Sequence, residues 1–433
     1  MKRLLPYLLF GVTLTFAQPA QKWVASWNAS MHGPYPVGNA SAQPDLRFAF
    51  PAAAVGARDQ TFRLVVQPDL WGRRARLKLS NRFGTRPVTF DGVFVALHLS
   101  GGATVAGASQ PAHFGGKDSI TVPSGTSIWS DPVELPFVDT AAAVSLAGRK
   151  LAVSFHVAGE SGPMTWHAKA LTTSYLSRPG AGAKGHLSDE SAFPFTTTSW
   201  FFLETVDMMA PAATRVVVAF GDSITDGTAS TLNGDDRWPN ALSRRLHAAY
   251  GNRVSVVNAG IGGNRVVGPA EYSAAKPFAG GPSALQRLAS DVIGISGVFA
   301  VVWLEGINDL GAGATVEAIE EGMKEGVRQM RARIPGVRIF GATVVSALGN
   351  TSATHGSPLE DQKRQALNRF IREGGLFDGV ADFDLATVDP ETGQLRAEFV
   401  PDSTTGGAGD NLHPNRAGYL AMAGAIDLKL LLE

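Results

Sequence analysis

The sequence predicts a chain in two parts, an all-β first half followed by an α/β second half. Apolar and polar residues alternate with a period of two over residues 23–206, whereas buried strands and amphipathic helices follow one another from about residue 214 onward. The length of 433 residues points the same way, because one ordinary domain takes roughly 150 residues. We therefore expect two separate cores.

The first half carries short runs in which apolar residues share one face of a strand. Residues 75–79 put apolar side chains on one face and cations on the other, and residues 151–157 repeat the alternation. Turn signals at residues 81–84 and 100–102 interrupt these runs. The pattern predicts an antiparallel β-sandwich over residues 21–206.

The second half, residues 214–433, alternates strands with helices. We expect strands at 216–220, 254–257, 298–304, 337–344 and 379–383, and helices at 238–250, 314–333, 359–373 and 416–432. Strict alternation implies a parallel sheet that is covered on both faces. Right-handed crossovers then leave a crevice at the carboxyl ends of the strands. Residues 207–213 are predicted to be the linker between the halves.

Composition excludes several classes of protein. The 38 Lys and Arg residues balance 38 Asp and Glu residues, which removes the electrostatic argument for nucleic acid or an anionic membrane as the main partner. The sequence contains no Cys, so disulfides, thiolate metal sites and Cys nucleophiles are excluded. No metal or organic cofactor is implied by the sequence.

The amino terminus predicts export. Lys2 and Arg3 precede an apolar run that leads to small residues at Ala17 and Ala20, the arrangement of a secretory signal peptide. An N-terminal membrane anchor is the alternative, but the run is shorter than the roughly 20 residues that a span needs. We expect residues 1–20 to be a signal peptide, no membrane span, and a secreted or periplasmic protein.

Two short motifs could supply a nucleophile and its base. Ser223 directly follows the first strand of the second half, near a helix start whose free amides favour negative charge. Asp410 and His413 stand three residues apart before the last helix, and a hydroxyl nucleophile needs such a pair because an unassisted Ser is hardly ionised near neutral pH. Taken singly, Ser223 could only cap a helix, and Asp410 could cap a turn beside a solvent-facing His413.

Two further loops follow the second and third strands of this half. Residues 258–264 are rich in Gly, where backbone amides can approach a ligand closely. Asn308 follows a buried strand. Each loop is a tight turn by default, but together they supply the amide donors that acyl transfer requires at the developing oxyanion.

The four blocks, residues 221–223, 258–264, 306–309 and 410–413, resemble the GDSL or SGNH hydrolase superfamily in order and spacing. The resemblance implies a flavodoxin-like three-layer α/β/α fold and serine esterase chemistry. It implies Ser223 as the nucleophile, His413 as the general base and Asp410 as the residue that orients His413. It also implies an oxyanion hole made of the Ser223 and Gly263 backbone amides and the Asn308 side chain.

Other residues within the same blocks are not expected to act in catalysis. Gly262 is set aside as an oxyanion donor because the family's donor Gly directly precedes Asn264. Asp222 and Asp309 are more often structural than catalytic in the family. The first half, through residues 23–27 and 79–84, resembles an all-β domain that precedes this catalytic domain in some secreted bacterial members, and we expect a jelly-roll-like sandwich.

Several other features have plainer interpretations. Residues 180–185 match a dinucleotide-binding glycine pattern but lack the flanking strand and helix. His156 and His355 have no partner in sequence and are expected to be non-catalytic. Six Trp residues of the first half could stack on sugars but are more often core in a sandwich; they are Trp23, Trp27, Trp71, Trp129, Trp166 and Trp200. Residues 39–41 fit a glycosylation sequon, which matters only in a eukaryotic host.

The sequence thus predicts a secreted serine carboxylic ester hydrolase that cleaves short acyl esters, with a small-molecule or polysaccharide ester as its substrate. Deacetylation of carbohydrate is one candidate activity. A lipase or lysophospholipase acting on lipid esters stays open, as do acyl transfer to a sugar and a glycan-binding protein with a vestigial hydrolase domain. The sequence does not determine the oligomeric state.

Overall fold

The computed structural model describes residues 20–139 and 146–433. The expected signal peptide therefore lies outside the described residues, apart from Ala20 at its end. Within the described ranges, none of the helices combines the length and the apolarity that crossing a membrane requires.

Antiparallel strands make up the first half. They are β1 (Gln21–Asn28), β2 (Arg58–Val66), β3 (Arg74–Ser80), β4 (Val88–Ser100), β5 (Ala103–Thr104), β6 (Gln110–Pro111), β7 (Ser119–Val122), β8 (Ser127–Trp129), β9 (Val133–Glu134), β10 (Leu151–Glu160), β11 (Trp166–His167), β12 (Ser174–Leu176), β13 (Phe195–Thr197), β14 (Trp200–Phe201) and β15 (Leu203–Pro211). One sheet has the order β1-β15-β3-β8, with β9 also on β3. A second has the order β13-β12-β2-β10-β4-β5, with β6 and β7 on β4, and β11 pairs with β14.

The two larger sheets share one apolar core. Phe62 of β2 and Phe155 of β10 stack with ring centroids 5.3 Å apart, and both rings contact Phe202, which precedes β15. All three side chains are fully buried, because alternate residues of a strand face the same side of its sheet. The antiparallel β character expected for this half is confirmed, while the jelly-roll-like order of connections stays a prediction.

The second half is a parallel sheet with helices. Its strands are β16 (Arg215–Gly221), β17 (Val254–Gly260), β18 (Val298–Leu304), β19 (Arg338–Ala342) and β20 (Gly379–Ala381). Its helices are α1 (Ser223–Asp226), α2 (Trp238–Tyr250), α3 (Ala284–Leu288), α4 (Ile307–Gly311), α5 (Val316–Arg333), α6 (Ala353–Gly356), α7 (Pro358–Glu373), α8 (Phe383–Thr387), α9 (Arg416–Gly424) and α10 (Leu428–Leu432), with short 3₁₀ or π turns at Gly251–Arg253, Ala289–Ile293 and Ala397–Phe399.

The parallel sheet has the order β17-β16-β18-β19-β20. In the numbering of this half alone, that order is 2-1-3-4-5, which is the flavodoxin-like arrangement. The fold class expected for the second half is therefore confirmed. The chain reverses direction across the sheet between β16 and β18, where such folds bind their ligands beyond the strands' carboxyl ends.

Two local predictions differ from the structure. The closing helix expected at 416–432 is split into α9 and α10, because the Asp427 side chain accepts a hydrogen bond from the Leu430 amide at 2.9 Å and caps a new helix. Residues 207–211 of the expected linker continue β15, where the buried Asp207 pairs with Arg76 at 2.7 Å. Residues 212–214 alone separate β15 from β16, and the boundaries of the domains themselves stay a prediction.

Strand β1 joins the two halves. Val24 and Ala25 on β1 are fully buried within the core of the second half. The Ala25 amide donates to the Ser296 carbonyl at 2.9 Å, and the Ser255 hydroxyl donates to the Ala25 carbonyl at 2.8 Å. The halves therefore share buried surface and are not connected by the chain alone.

Candidate active site

Ser223 directly follows the carboxyl end of β16, one of the two strands at the reversal point of the sheet. Gly221 makes the tight turn possible, because a Cβ there would lie 2.2 Å from the Thr225 hydroxyl and 2.5 Å from the Leu304 carbonyl. Asp222 then caps α1 by accepting the Ile224 amide at 2.9 Å. This geometry sets Ser223 as the first residue of α1, with 7% of its surface exposed.

His413 and Asp410 complete a relay with Ser223. The Ser223 Oγ lies 2.8 Å from His413 Nε2, and His413 Nδ1 lies 2.6 Å from Asp410 Oδ2. An ionised carboxylate can only accept a hydrogen bond, so the ring proton must be on Nδ1. Nε2 then has a free lone pair that can accept the Ser223 proton. The structure therefore brings the three residues together, although Ser223 lies 190 positions before His413 in the sequence and Asp410 lies three positions before it.

Asp410 is held as an anion. Burial by itself raises the pKa of Asp410, but the hydrogen bond and charge of His413 and the amides of His413 and Leu412 more than offset it, so the pKa lies well below its usual range. Those amides both donate to Asp410 Oδ1 at 2.9 Å. The Asn350 side chain fixes the same turn by donating to the Asp410 carbonyl at 2.5 Å.

In the part of the chain that the structure describes, the three expected oxyanion donors each keep an N–H group that no other protein group engages. Within the described residues, neither the Ser223 amide nor the Gly263 amide donates to another protein group. The Asn308 side chain donates one N–H to the Asn264 carbonyl at 3.0 Å and has a second N–H left over. Gly263 has φ = +82°, a conformation in which a side chain would be strained.

Three residues that the sequence set aside have structural contacts. The Gly262 amide donates to Asp226 Oδ2 at 2.8 Å and is thus not free for an oxyanion. Asp309 accepts the amides of Val266 and Val267 at 2.8 and 3.0 Å. Asp222 caps α1, as described above. All three residues therefore have contacts within the protein, and that none of them acts in catalysis stays a prediction.

A buried arginine ties the strand ends together. Arg287 is 1% exposed, and its guanidinium donates to the carbonyls of Gly221 and Ala259, each at 2.7 Å. It also contacts the carboxylates of Asp291 and Glu305 at 3.0 Å. The ends of β16 and β17 and the residue after β18 are thereby fixed around one cation.

Residues of the β half also reach this site, and the sequence did not indicate them. The Asn39 side chain donates to the Gly262 carbonyl at 2.6 Å. His167 lies 3.1 Å from Asp226 Oδ1, and the buried Lys169 donates to Thr228. These pairs are 59 to 223 residues apart in sequence, so no local pattern could have revealed them; the polar character of residues 167 and 169 in a β-rich segment was the one available signal.

The two histidines that the sequence predicts to be non-catalytic, His156 and His355, lie in different surroundings. His156 bonds Asp91 and Asp59 at 2.6 and 2.8 Å within the β half. Burial, and secondarily the charge of the nearby His413, lower the pKa of His355. Of the six Trp residues, Trp27, Trp71, Trp166 and Trp200 are buried.

A cavity of about 680 Å³ lies between the two halves. Trp71, Asn240 and His247 are among its lining residues, but Ser223 and His413 are not. The relay therefore stands outside this space. Within the described part of the chain, no cluster of His, Asp and Glu side chains is arranged to hold a metal ion.

A Ser after the strand at the reversal point of a flavodoxin-like sheet, with a His–Asp pair before the last helices, is an arrangement in which a hydroxyl nucleophile can be activated. Residues 219–421 match the family model described as the GDSL-like lipase/acylhydrolase family. This segment is therefore a GDSL-like hydrolase domain, as the sequence blocks predicted.

Solved structures that resemble the chain cover about half of it. One is the native aryl esterase of M. smegmatis, with 18% identity over 49% of this chain and 95% of that one, at a TM-score of 0.36. Another is a carbohydrate acetylesterase family member from Sinorhizobium meliloti. It shares 16% sequence identity, the match covers 49% of this chain and 94% of that one, and the TM-score is 0.36. A third is a GDSL-like lipase from Bacteroides thetaiotaomicron. It shares 18% sequence identity, the match covers 50% of this chain and 87% of that one, and the TM-score is 0.35. No curated protein matches the chain.

Proposed function

We propose that the chain is a serine carboxylic ester hydrolase that cleaves short acyl esters. The observation that carries the proposal is the relay from Ser223 Oγ to His413 Nε2 at 2.8 Å and from His413 Nδ1 to Asp410 at 2.6 Å. The unengaged amides of Ser223 and Gly263 and the spare N–H of Asn308 add support, because an oxyanion needs such donors.

The first half-reaction forms an acyl-enzyme. Ser223 Oγ attacks the ester carbonyl carbon while His413 Nε2 takes the hydroxyl proton, and the carbonyl oxygen becomes an oxyanion held by the donors of Ser223, Gly263 and Asn308. Asp410 stabilises the imidazolium that forms. When the tetrahedral intermediate collapses, the C–O bond to the alcohol breaks and His413 returns the proton to the leaving oxygen.

The second half-reaction releases the acid. Water attacks the acyl-enzyme carbonyl, His413 takes a proton from it, and the Ser223 Oγ leaves with that proton restored. Transfer of the acyl group to a sugar hydroxyl would use the same groups with a different acceptor.

A short acyl chain fits the residues that surround the proposed oxyanion donor. A Cβ placed on Gly263 would meet the polar Asn39 side chain and the Gly280 Cα, so no large apolar side chain is among the atoms nearest to that position. The sequence adds no long apolar segment that could serve as a lid. We therefore infer an ester of a short acid, with the alcohol part left to experiment.

We also infer that the protein is exported. The basic start at Lys2 and Arg3 and the apolar run after it support this proposal. Fractionation of cells with N-terminal sequencing tests it. A mature terminus near residue 18 or 21 outside the cytoplasm is the expected result, and an intact Met1 in the cytoplasm would overturn it.

Initial rates on p-nitrophenyl esters from acetate to palmitate test the activity. We expect rates that peak at acetate or butyrate in the wild type and fall on the order of 10⁴–10⁶-fold in Ser223→Ala. Ser191→Ala is the matched control, because Ser191 is an exposed serine of the β half whose hydroxyl contacts only Asp189. A peak at long chains would favour a lipase instead, and a folded but inactive wild type would favour a binding protein.

A further inference from the structure

We propose that Asn39, a residue of the β half, is a positioning residue for the oxyanion hole. The inference rests on the proposed esterase function and assigns the β half a part in it. Asn39 lies outside residues 219–421, which match the hydrolase family model. Asn39 has no hydrogen bond to Ser223, His413 or Asp410. In the proposed role it does not contact the substrate oxygen either.

The peptide group between Gly262 and Gly263 carries one of the proposed oxyanion donors. A peptide group is planar, so its carbonyl and its N–H point in opposite directions from one rigid unit. The Gly263 N–H is the proposed oxyanion donor, and the carbonyl of the same unit belongs to Gly262. Asn39 Nδ2 donates to that carbonyl at 2.6 Å. Any rotation that turned the Gly263 N–H away from the substrate would break this bond.

This restraint matters because glycine has no Cβ and restricts its own backbone conformation less than other residues do. Gly262 and Gly263 are adjacent, and Gly263 has φ = +82°, so the backbone here has more accessible conformations than at other residues. An oxyanion hole works when its donors are already aimed at the developing charge. A bond to the carbonyl also polarises the peptide unit, which makes its N–H a stronger donor.

The preceding peptide group is held from the other side. The Gly262 amide donates to Asp226 Oδ2 at 2.8 Å, and Asp226 in turn contacts His167 at 3.1 Å. A Cβ placed on Gly262 would meet the Lys169 ammonium at 3.0 Å and the Asn39 Cβ at 3.2 Å. Three residues of the β half, Asn39, His167 and Lys169, therefore surround this loop.

Asn39 is itself held by a packed segment. Trp166 donates its indole N–H to the Val37 carbonyl at 3.2 Å. Gly38 is in close contact, since a Cβ there would lie 2.8 Å from both Trp166 and the Ala168 side chain. The side chain of Asn39 is exposed, so its substitution should leave the fold intact while releasing the Gly262 carbonyl.

The test compares Asn39→Ala and Asn39→Asp with a matched control. Thr173→Ala removes a different side-chain hydrogen bond between the halves, in which the Thr173 hydroxyl accepts from Asn233 at 3.0 Å. The variants should be made in a bacterial host, since residues 39–41 form a glycosylation sequon. The readouts are kcat and KM on p-nitrophenyl acetate, the inhibition constant of phenylboronic acid, which forms a tetrahedral adduct with a nucleophilic Ser, and the thermal midpoint.

For Asn39→Ala we expect kcat to fall about tenfold with KM unchanged within about twofold, because the donor is misaimed rather than removed. The inhibition constant of phenylboronic acid should rise by a similar factor, with the thermal midpoint unchanged. Asn39→Asp keeps the shape but loses the donor, so it should lose at least as much activity as the alanine variant. Thr173→Ala should retain wild-type kinetics.

Wild-type kinetics in both Asn39 variants would overturn the inference while leaving the esterase proposal in place. So would an aspartate variant equal to wild type beside a weakened alanine variant, since that pattern would indicate a space-filling role. A loss that followed the thermal midpoint, or that appeared equally in Thr173→Ala, would also overturn it. An inactive wild type would overturn the esterase proposal and this inference together.

Discussion

At the scale of single residues, His413 connects the nucleophile to a fixed charge. Its Nε2 faces Ser223 and its Nδ1 faces Asp410, which two backbone amides also hold. Asp410 thus sets both the ring's orientation and its tautomer. The side chain of Asp410 is 43% exposed, so its contribution to stability is reduced by solvent and its main effect should be on activity.

Asp410→Asn tests this role of the carboxylate. An asparagine can present its N–H₂ to the ring and favour the tautomer in which Nε2 carries the proton, which prevents Nε2 from acting as a base. We expect kcat to fall on the order of 10²–10⁴-fold with little change in KM. Steady-state kinetics on p-nitrophenyl acetate measure it, and wild-type kcat would contradict the assigned role.

Asn308→Ala tests the side-chain donor of the oxyanion hole. The amide already gives one N–H to the Asn264 carbonyl at 3.0 Å, which aims the other before substrate binds. Its removal should lower kcat by about 10²–10³-fold with the fold intact. A loss confined to KM would show that Asn308 binds the ground state instead.

The buried Asp222 should make the stability of the folded protein depend on pH. Burial raises its pKa to about 8 from an ordinary value of 3.8. The folded protein therefore keeps a proton that the unfolded chain releases above pH 3.8, so this residue's contribution to stability is lost as pH rises toward 8. Asn can accept the Ile224 amide as Asp222 does, without the charge.

For Asp222→Asn we therefore expect a thermal midpoint that exceeds the wild-type value by more at pH 8 than at pH 5. Thermal unfolding followed by circular dichroism at both values measures it. An advantage that is equal at both pH values, or that is larger at pH 5, would contradict the raised pKa.

At the scale of secondary-structure elements, the site depends on how the strand ends are fixed. Arg287 donates to Gly221 on β16 and to Ala259 on β17, and it pairs with Glu305 just after β18. These three strand ends lead to the nucleophile, the glycine loop and Asn308. One buried cation therefore serves every block of the proposed site except the His–Asp pair.

Arg287→Met should destabilise the protein by about 3–5 kcal/mol, because it leaves Asp291 and Glu305 buried without their partner. Arg328→Met is the matched control, since Arg328 pairs with Glu325 on the exposed face of α5 with 69% of its side chain accessible. The control should change stability by less than about 1 kcal/mol. Urea unfolding measures the free energy of unfolding of both variants. An equal loss of stability in the two would contradict the role of Arg287 in fixing the strand ends.

Elements with a strong local signal were predicted well from the sequence. The buried run of β16 and the amphipathic repeat of α2 (Trp238–Tyr250) appear where their patterns placed them. The closing helix was divided by a cap at Asp427 that the apolar period did not show. Motif residues such as Ser223 could be found because their chemistry is written in short blocks. Asn39 could not, since its partner lies 223 positions away.

At the scale of the whole molecule, the two halves share buried structure. Val24 and Ala25 of β1 belong to the core of the second half, and Ser255 on β17 donates to the Ala25 carbonyl at 2.8 Å. Buried contacts from Lys169 to Thr228 and from Arg237 to the Ala170 carbonyl join them again nearer the site. The β half therefore packs against the loops of the candidate site, and the two halves are joined by more than the chain itself.

Such an interface should make the halves unfold together. Exposing the faces of β1 and β17 would cost apolar burial in both cores, so neither half gains by unfolding first. We expect one transition in differential scanning calorimetry, with a calorimetric enthalpy equal to the van 't Hoff enthalpy. Two resolved transitions would contradict this account of the interface.

The proposed reaction requires Ser223 to form a covalent acyl-enzyme. Its most direct test is labelling with a fluorophosphonate, which reacts with activated serine hydroxyls, followed by intact mass and peptide mapping. One adduct per chain at Ser223, absent in Ser223→Ala and slowed in Asp410→Asn, is the expected result. Full labelling of Ser223→Ala, or no labelling of a folded wild type, would contradict the claim.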